Sequence, residues 1–159
     1  MQATLDGDAD AVAKGIEAAH DENTSILSYN DENSLACVLS IAYYYAKNDY
    51  VMHRELARDK AAIKRERSQA CLDYAEREQT RTKSKGFADI VLIPRKNVDS
   101  PAIVLELKVN KDADSAISQI LRKDYPAKVR EYSNRLLLVG INYDRNTKQH
   151  SCCIEKLKV

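Results

Sequence analysis

Two apolar runs, Phe87–Ile93 and Ala102–Val109, are joined by a short Pro/Asn/Asp/Ser segment that begins at Pro94 and ends at Pro101. Both runs are rich in Val, Ile and Leu, and their length and flanking breakers predict two strands. Proline donates no ladder hydrogen bond, so each proline ends a strand. Pairing Pro94 with Pro101 in an antiparallel hairpin then sets the register, and Asp89 falls directly opposite Glu106. Directly opposed side chains have Cβ atoms about 4.5–5.5 Å apart. Side chains alternate along a strand, so Glu106 and Lys108 share one face while Leu105, Leu107 and Val109 take the other.

Two opposed carboxylates repel unless positive charge sits between them. A hard divalent cation such as Mg²⁺ answers this, because it uses one or two carboxylates and fills its shell with water and substrate phosphate oxygens. Lys108, beside them, suits a water-orienting or phosphate-stabilising role. A plainer reading makes Glu106 and Lys108 a same-face ion pair near Asp89 on a wet sheet surface. Against it, the strand is apolar everywhere else and reads as buried on both faces.

The remaining pattern surrounds this hairpin with helices and further strands. Ala, Val and Ile recur at helical spacing from about Asp8 to His20. A second helix, capped by Asn30 or Asp31, is expected to run to about Lys47, with Leu35, Val38, Leu39, Ala42 and Tyr45 on its apolar face. Tyr50–Leu56 reads as a first strand. The charged stretch at about 58–85 reads as an exposed helix followed by a basic approach to Gly86. A helix is expected from Asp112 or Asp114, checked at Pro126 and resuming to about Tyr132. Arg135–Asn142 and Ser151–Leu157 read as closing strands. The expected fold is α/β (α+β), a mixed central sheet of about five strands flanked by helices.

At 159 residues the chain suits one domain, 1–159, with a proper core. The apolar run from Leu35 to Tyr45 is too short to span a bilayer, and no basic segment precedes an apolar one as in a secretory leader. A cytoplasmic setting is expected, and the opening MQATLDGDAD reads as a cut made inside a longer protein. The four cysteines form no CxxC pair and the three histidines are scattered, a pattern of neither a zinc site nor a disulfide framework. Charge is uneven: residues 1–33 carry eight acids and one base, whereas 54–85 and 86–159 each have a surplus of four bases. Such asymmetry permits a nucleic-acid face and does not by itself establish one.

The motifs G-F-A-D and E-L-K, followed by a helix with Q-I-x-x-K-x-Y and a strand reading LLLVGINYD, resemble the PD-(D/E)XK nuclease superfamily. More narrowly, the chain is similar to nuclease-like domains found C-terminal to AAA-ATPase-like domains in bacterial proteins. The resemblance implies a restriction-endonuclease-like core and Mg²⁺- or Mn²⁺-dependent hydrolysis of DNA leaving a 5′-phosphate. It implies Asp89, Glu106 and the Leu107 carbonyl as metal ligands, and Lys108 as the residue that positions water. Gln119, Lys123 and Tyr125 match the supporting helix motif, and Arg122, Lys128 and Arg130 are the bases expected to meet phosphates. Glu32 corresponds to an acid that many members place near the metal, although a first-turn acid is also favoured by the helix dipole. His53 and Glu55 on the first strand are weaker candidates for the same site. The 58–85 stretch departs from the family pattern, in which a tight turn joins these strands. It reads as a solvated helical insertion, a basic arm over the cleft, a spacer, or a segment that lets the first strand swap between the subunits of a homodimer. A catalytically silent module that binds nucleic acid or a partner ATPase domain is the alternative function.

Overall fold

β3 (Ala102–Val109) lies at the centre of a five-stranded sheet and is buried along almost its whole length. The computed structural model describes residues 1–23, 32–54, 88–122, 127–132 and 134–157, with backbone alone at 23, 32–34 and 127–128. β3 pairs antiparallel with β2 (Ile90–Pro94) and parallel with β4 (Leu136–Asp144). β1 (Tyr50–Arg54) borders β2 and β5 (Gln149–Leu157) borders β4, both antiparallel, so the strand order follows the sequence. A strand flanked on both sides and covered on both faces has no wet position, which accounts for the near-continuous apolar run.

Alternation divides the sheet into two faces. Ile103, Leu105 and Leu107, with Ile90, Leu92, Val139 and Ile141, pack beneath α2 (Ala9–Asn23) and α3 (Glu32–Ala42). Ala102, Val104, Val91 and Leu138 face the other way, against Ile117 and Ile120 of α4 (Ala113–Leu121) and Val129 of α5 (Ala127–Arg130). Full burial of a Leu, Ile or Val contributes about 1.5–3 kcal/mol. Glu106 and Lys108, by parity, belong to the α4 face.

The hairpin register is the one the two prolines imply: Ile90 faces Leu105, Val91 faces Val104 and Leu92 faces Ile103. The ladder starts at Ile90 rather than at Phe87, so Asp89 immediately precedes β2 instead of lying within it. Its side chain supplies the reason: Asp89 Oδ2 accepts the Leu107 N–H at 2.8 Å, where a backbone ladder bond would otherwise continue.

The N-terminal helical region also differs from expectation. The second helix stops at Ala42, and Tyr44–Asn48 forms a 3₁₀ turn instead of continuing the α-helix to Lys47. Tyr43 and Ala46 are both buried while Tyr44 and Tyr45 are exposed, and a three-residue period keeps 43 and 46 on one side. A short α1 (Gln2–Asp6), absent from the sequence reading, is tied down by a Thr4–Tyr43 hydroxyl contact of 2.8 Å. Among the described residues no helix is long and apolar enough to cross a membrane. The 58–85 insertion, Glu55 and the Asn30/Asp31 cap lie outside the described residues.

Candidate functional site

Glu106 and Lys108 are 2% and 5% exposed, so the pair is buried rather than set on a wet surface. Lys108 Nζ donates to Glu106 Oε1 at 3.0 Å and to the Leu107 carbonyl at 3.0 Å. Gln119 Nε2 donates to the same Glu106 oxygen. Asp89, half-buried, reaches the same segment through the Leu107 amide. Four polar side chains and one peptide unit therefore converge on the C-terminal half of β3.

The approach of α4 makes this possible. Asp112 caps the helix by accepting the Ser115 N–H at 2.6 Å, while Ser115 Oγ donates to the Asp112 carbonyl at 2.7 Å. Ala113, Ala116, Ile117 and Ile120 turn toward the sheet, leaving Ser115, Gln119 and Arg122 along another side. Gly140, the β4 partner of Glu106, lies under the first turn of α4. A Cβ there would stand 2.2 Å from the Ala113 carbonyl oxygen, so only glycine allows the helix so close. That close contact brings Gln119 to Glu106.

Sequence reasoning missed Asn142 and Lys111. Asn142 is the β4 partner of Lys108, is buried, and accepts the Lys111 N–H at 2.9 Å. Asn110 adopts a positive φ of 55° between β3 and α4, and its Oδ1 accepts the Arg145 N–H at 2.8 Å. Together these bonds fix the turn that carries Lys111 beside Lys108. A polar residue in the otherwise apolar LLLVGINYD strand was a legible signal, the same kind that singled out Glu106.

The structure brings Asp89, Glu106, Leu107, Lys108 and Gln119 together, and Arg122 lines the adjoining cleft. Arg130 is exposed on α5. His53 pairs with Val91 and so shares the sheet face of the site by parity. Glu32 opens α3, but its side chain and that of Lys128 lie outside the described residues, as do Lys123 and Tyr125 altogether.

The donor set fits a hard cation. Glu106 Oε1 and the Leu107 carbonyl oxygen already converge on one positive charge, the Lys108 ammonium, and Asp89 stands on the same peptide. Among the described residues no three His, Cys, Asp or Glu side chains cluster as in a protein-only cage. Two carboxylates and a carbonyl instead match Mg²⁺, which leaves much of its shell to water and phosphate.

No curated protein matches the chain. A family model of the PD-(D/E)XK nuclease superfamily matches residues 72–152, about half of the chain, including Asp89, Glu106, Lys108 and Gln119. Members of this superfamily are usually hydrolytic nucleases that use divalent metals. With its mixed five-stranded sheet, its flanking helices and this match, the chain belongs to the PD-(D/E)XK nuclease superfamily.

Proposed function

We propose that this chain is a Mg²⁺- or Mn²⁺-dependent DNA nuclease that hydrolyses phosphodiester bonds at the Asp89–Glu106–Lys108 site. The observation that carries this reading is the burial of Glu106 and Lys108 on one face of β3, with Gln119 fixed on the Glu106 carboxylate. An ordinary ion pair on a solvated strand needs neither burial nor a third residue to orient it. Asp89, Glu106 and the Leu107 carbonyl would hold the cation. When bound, the cation supplies Lewis acidity to the scissile phosphate and makes water more acidic.

The protein's own groups do the rest. Gln119 fixes the rotamer of Glu106, and Asp89 is held by the Leu107 amide. Lys108 carries N–H donors to orient water and to stabilise negative charge on phosphate oxygens. Arg122, Lys123, Lys128 and Arg130 are assigned to backbone phosphates, which position the strand without reading its sequence. An AAA-ATPase-like domain of the same full-length protein and a cytoplasmic setting are part of this reading, on the family resemblance. So are a single-domain organisation and a homodimer.

One observation favours the alternative of a silent binding module: Lys108 already occupies two of the oxygens assigned to the cation. Plasmid, linear and branched DNA, incubated with Mg²⁺ or Mn²⁺, separate the two. The nuclease reading expects cleavage that chelator abolishes and that Lys108→Ala and Asp89→Asn lack. Binding without turnover in the wild type would overturn it in favour of the module.

A further inference from the structure

Next to the buried trio lies a cleft of about 350 Å³ lined by Lys108, Lys111, Ser115, Gln119 and Arg122. Of the described residues that line it, three of five are cations and none is an acid. Lys108 is neutralised by Glu106, but neither Lys111 nor Arg122 has an ion-pair partner among the described residues. The nearby acids are turned to other work: Asp112 caps α4, and Asp114 acts on the Cys153 thiol of β5.

Lys111 and Arg122 are presented by well-fixed backbone. The Lys111 amide is held by the buried Asn142, inside the turn that Asn110 closes. Arg122 Nε donates to the Ser118 carbonyl at 3.1 Å, which steadies the guanidinium stem and leaves its terminal nitrogens for another acceptor. A guanidinium with an ammonium across a small cleft, with no acid among its described lining residues, matches a tetrahedral oxyanion.

The geometry points to a phosphate-binding subsite formed by Lys111 and Arg122, distinct from the position of the scissile group over Glu106 and Lys108. It rests on reading the buried trio as the reacting centre. Its ligand is a phosphate group of the nucleic-acid strand, and that chemistry has two sources: an internal diester next to the scissile one, or a terminal monoester. The subsite would hold the strand in register with the reacting centre, making Lys111 and Arg122 positioning residues for the cleavage reaction.

The experiment measures binding in chelator, so that cleavage does not intrude. Fluorescence anisotropy compares a labelled single strand carrying a 5′-phosphate with its 5′-hydroxyl twin over a range of salt. The proteins are the wild type, Lys111→Ala, Arg122→Ala and, as control, Lys96→Ala on the exposed hairpin loop after β2. Thermal melts establish that all are folded. Each cleft substitution should weaken binding about tenfold or more, as expected for a lost charge-assisted contact. Each should also reduce the salt slope by about 0.7, the value for one single-strand phosphate. Lys96→Ala should bind like the wild type. Loss confined to the 5′-phosphorylated strand supports the subsite with a terminal group as its ligand; equal loss on both strands supports it with an internal diester. Unchanged affinity and salt slope in both cleft variants overturn it, as does a wild type that binds neither strand. A wild type that cleaves with Mg²⁺ while the variants bind normally removes the subsite alone. A wild type that binds through Lys111 and Arg122 but never cleaves removes only the nuclease reading.

Discussion

Lys108 Nζ stands 3.0 Å from Glu106 Oε1 and 3.0 Å from the carbonyl oxygen of Leu107, a cation seated between two oxygens in the sheet interior. Burying a lone carboxylate is costly, and removing one partner of such a pair typically costs about 3–5 kcal/mol. In the proposed reaction Glu106 and the Leu107 carbonyl would help hold a divalent cation, and the Lys108 ammonium would then be released from them to face the substrate. The ammonium holds the Glu106 carboxylate in place through its hydrogen bond.

Lys108→Met should therefore destabilise the protein in chelator by roughly 3 kcal/mol, and added Mg²⁺ or Ca²⁺ should recover much of that loss. Calorimetric titration should show the variant binding the cation more tightly than the wild type, although it cannot cleave. Urea unfolding with and without the cation checks the first point. An equal deficit in both conditions would show that the cation does not take these oxygens.

Asp89 offers a cleaner separation of structure from chemistry. Its Oδ2 accepts the Leu107 N–H at 2.8 Å, and an asparagine oxygen can do the same. Asp89→Asn should hold stability within about 0.5 kcal/mol. Asp89→Ala should lose about 1–3 kcal/mol by leaving the amide unsatisfied. Both should lower cleavage at least about 100-fold, beyond the roughly 10–100-fold typical of groups one step removed from a metal. Chemical denaturation and a plasmid-nicking assay on the pair provide the check.

Gly140 carries no reacting group, yet Gly140→Ala should impair the site. The added methyl meets the Ala113 carbonyl oxygen at 2.2 Å, so α4 must move off the sheet. Overpacking of this kind costs about 1–3 kcal/mol. Gln119 moves with the helix, and cleavage should fall more than the loss of folded protein accounts for. Activity normalised to the folded fraction tests this.

Acid should destabilise the protein through a cluster remote from the reacting groups. His150 lies against His20 and Tyr143, with ring centroids 5.2 and 4.9 Å away. Burial, with a further push from His20, lowers His150 to about 4, against an opposing pull from Asp21. The folded pKa lies below the unfolded one near 6.5, so the unfolded chain takes up the proton first as pH falls. The contribution is intact above about pH 6.5 and is lost progressively toward pH 4. Urea midpoints across that window should decline in the wild type and decline less in His150→Phe.

Much of the frame was legible because it depends on local rules. Pro94 and Pro101 end their strands for want of a donor, and period-two alternation then puts Glu106 and Lys108 on one face opposite Asp89. A helix starting at Asp112 or Asp114 was legible as well, and of the two it is Asp112 that caps α4. The early end of the second helix was not visible, because it depends on burying Tyr43 against Thr4, 39 positions away in the chain.

Which side chains share a strand face follows from backbone geometry and chain order alone, and so could be read before folding. What those side chains touch depends on how distant segments pack. Gln119 meets Glu106 because Gly140 lets α4 settle on β4, and Lys111 is held beside Lys108 because Asn142 in the next strand accepts its amide. These contacts join segments far apart in the chain, and their geometry is set by the spacing between helix and sheet. No local pattern carries that spacing, because it is fixed by how the packed layers fill their volume.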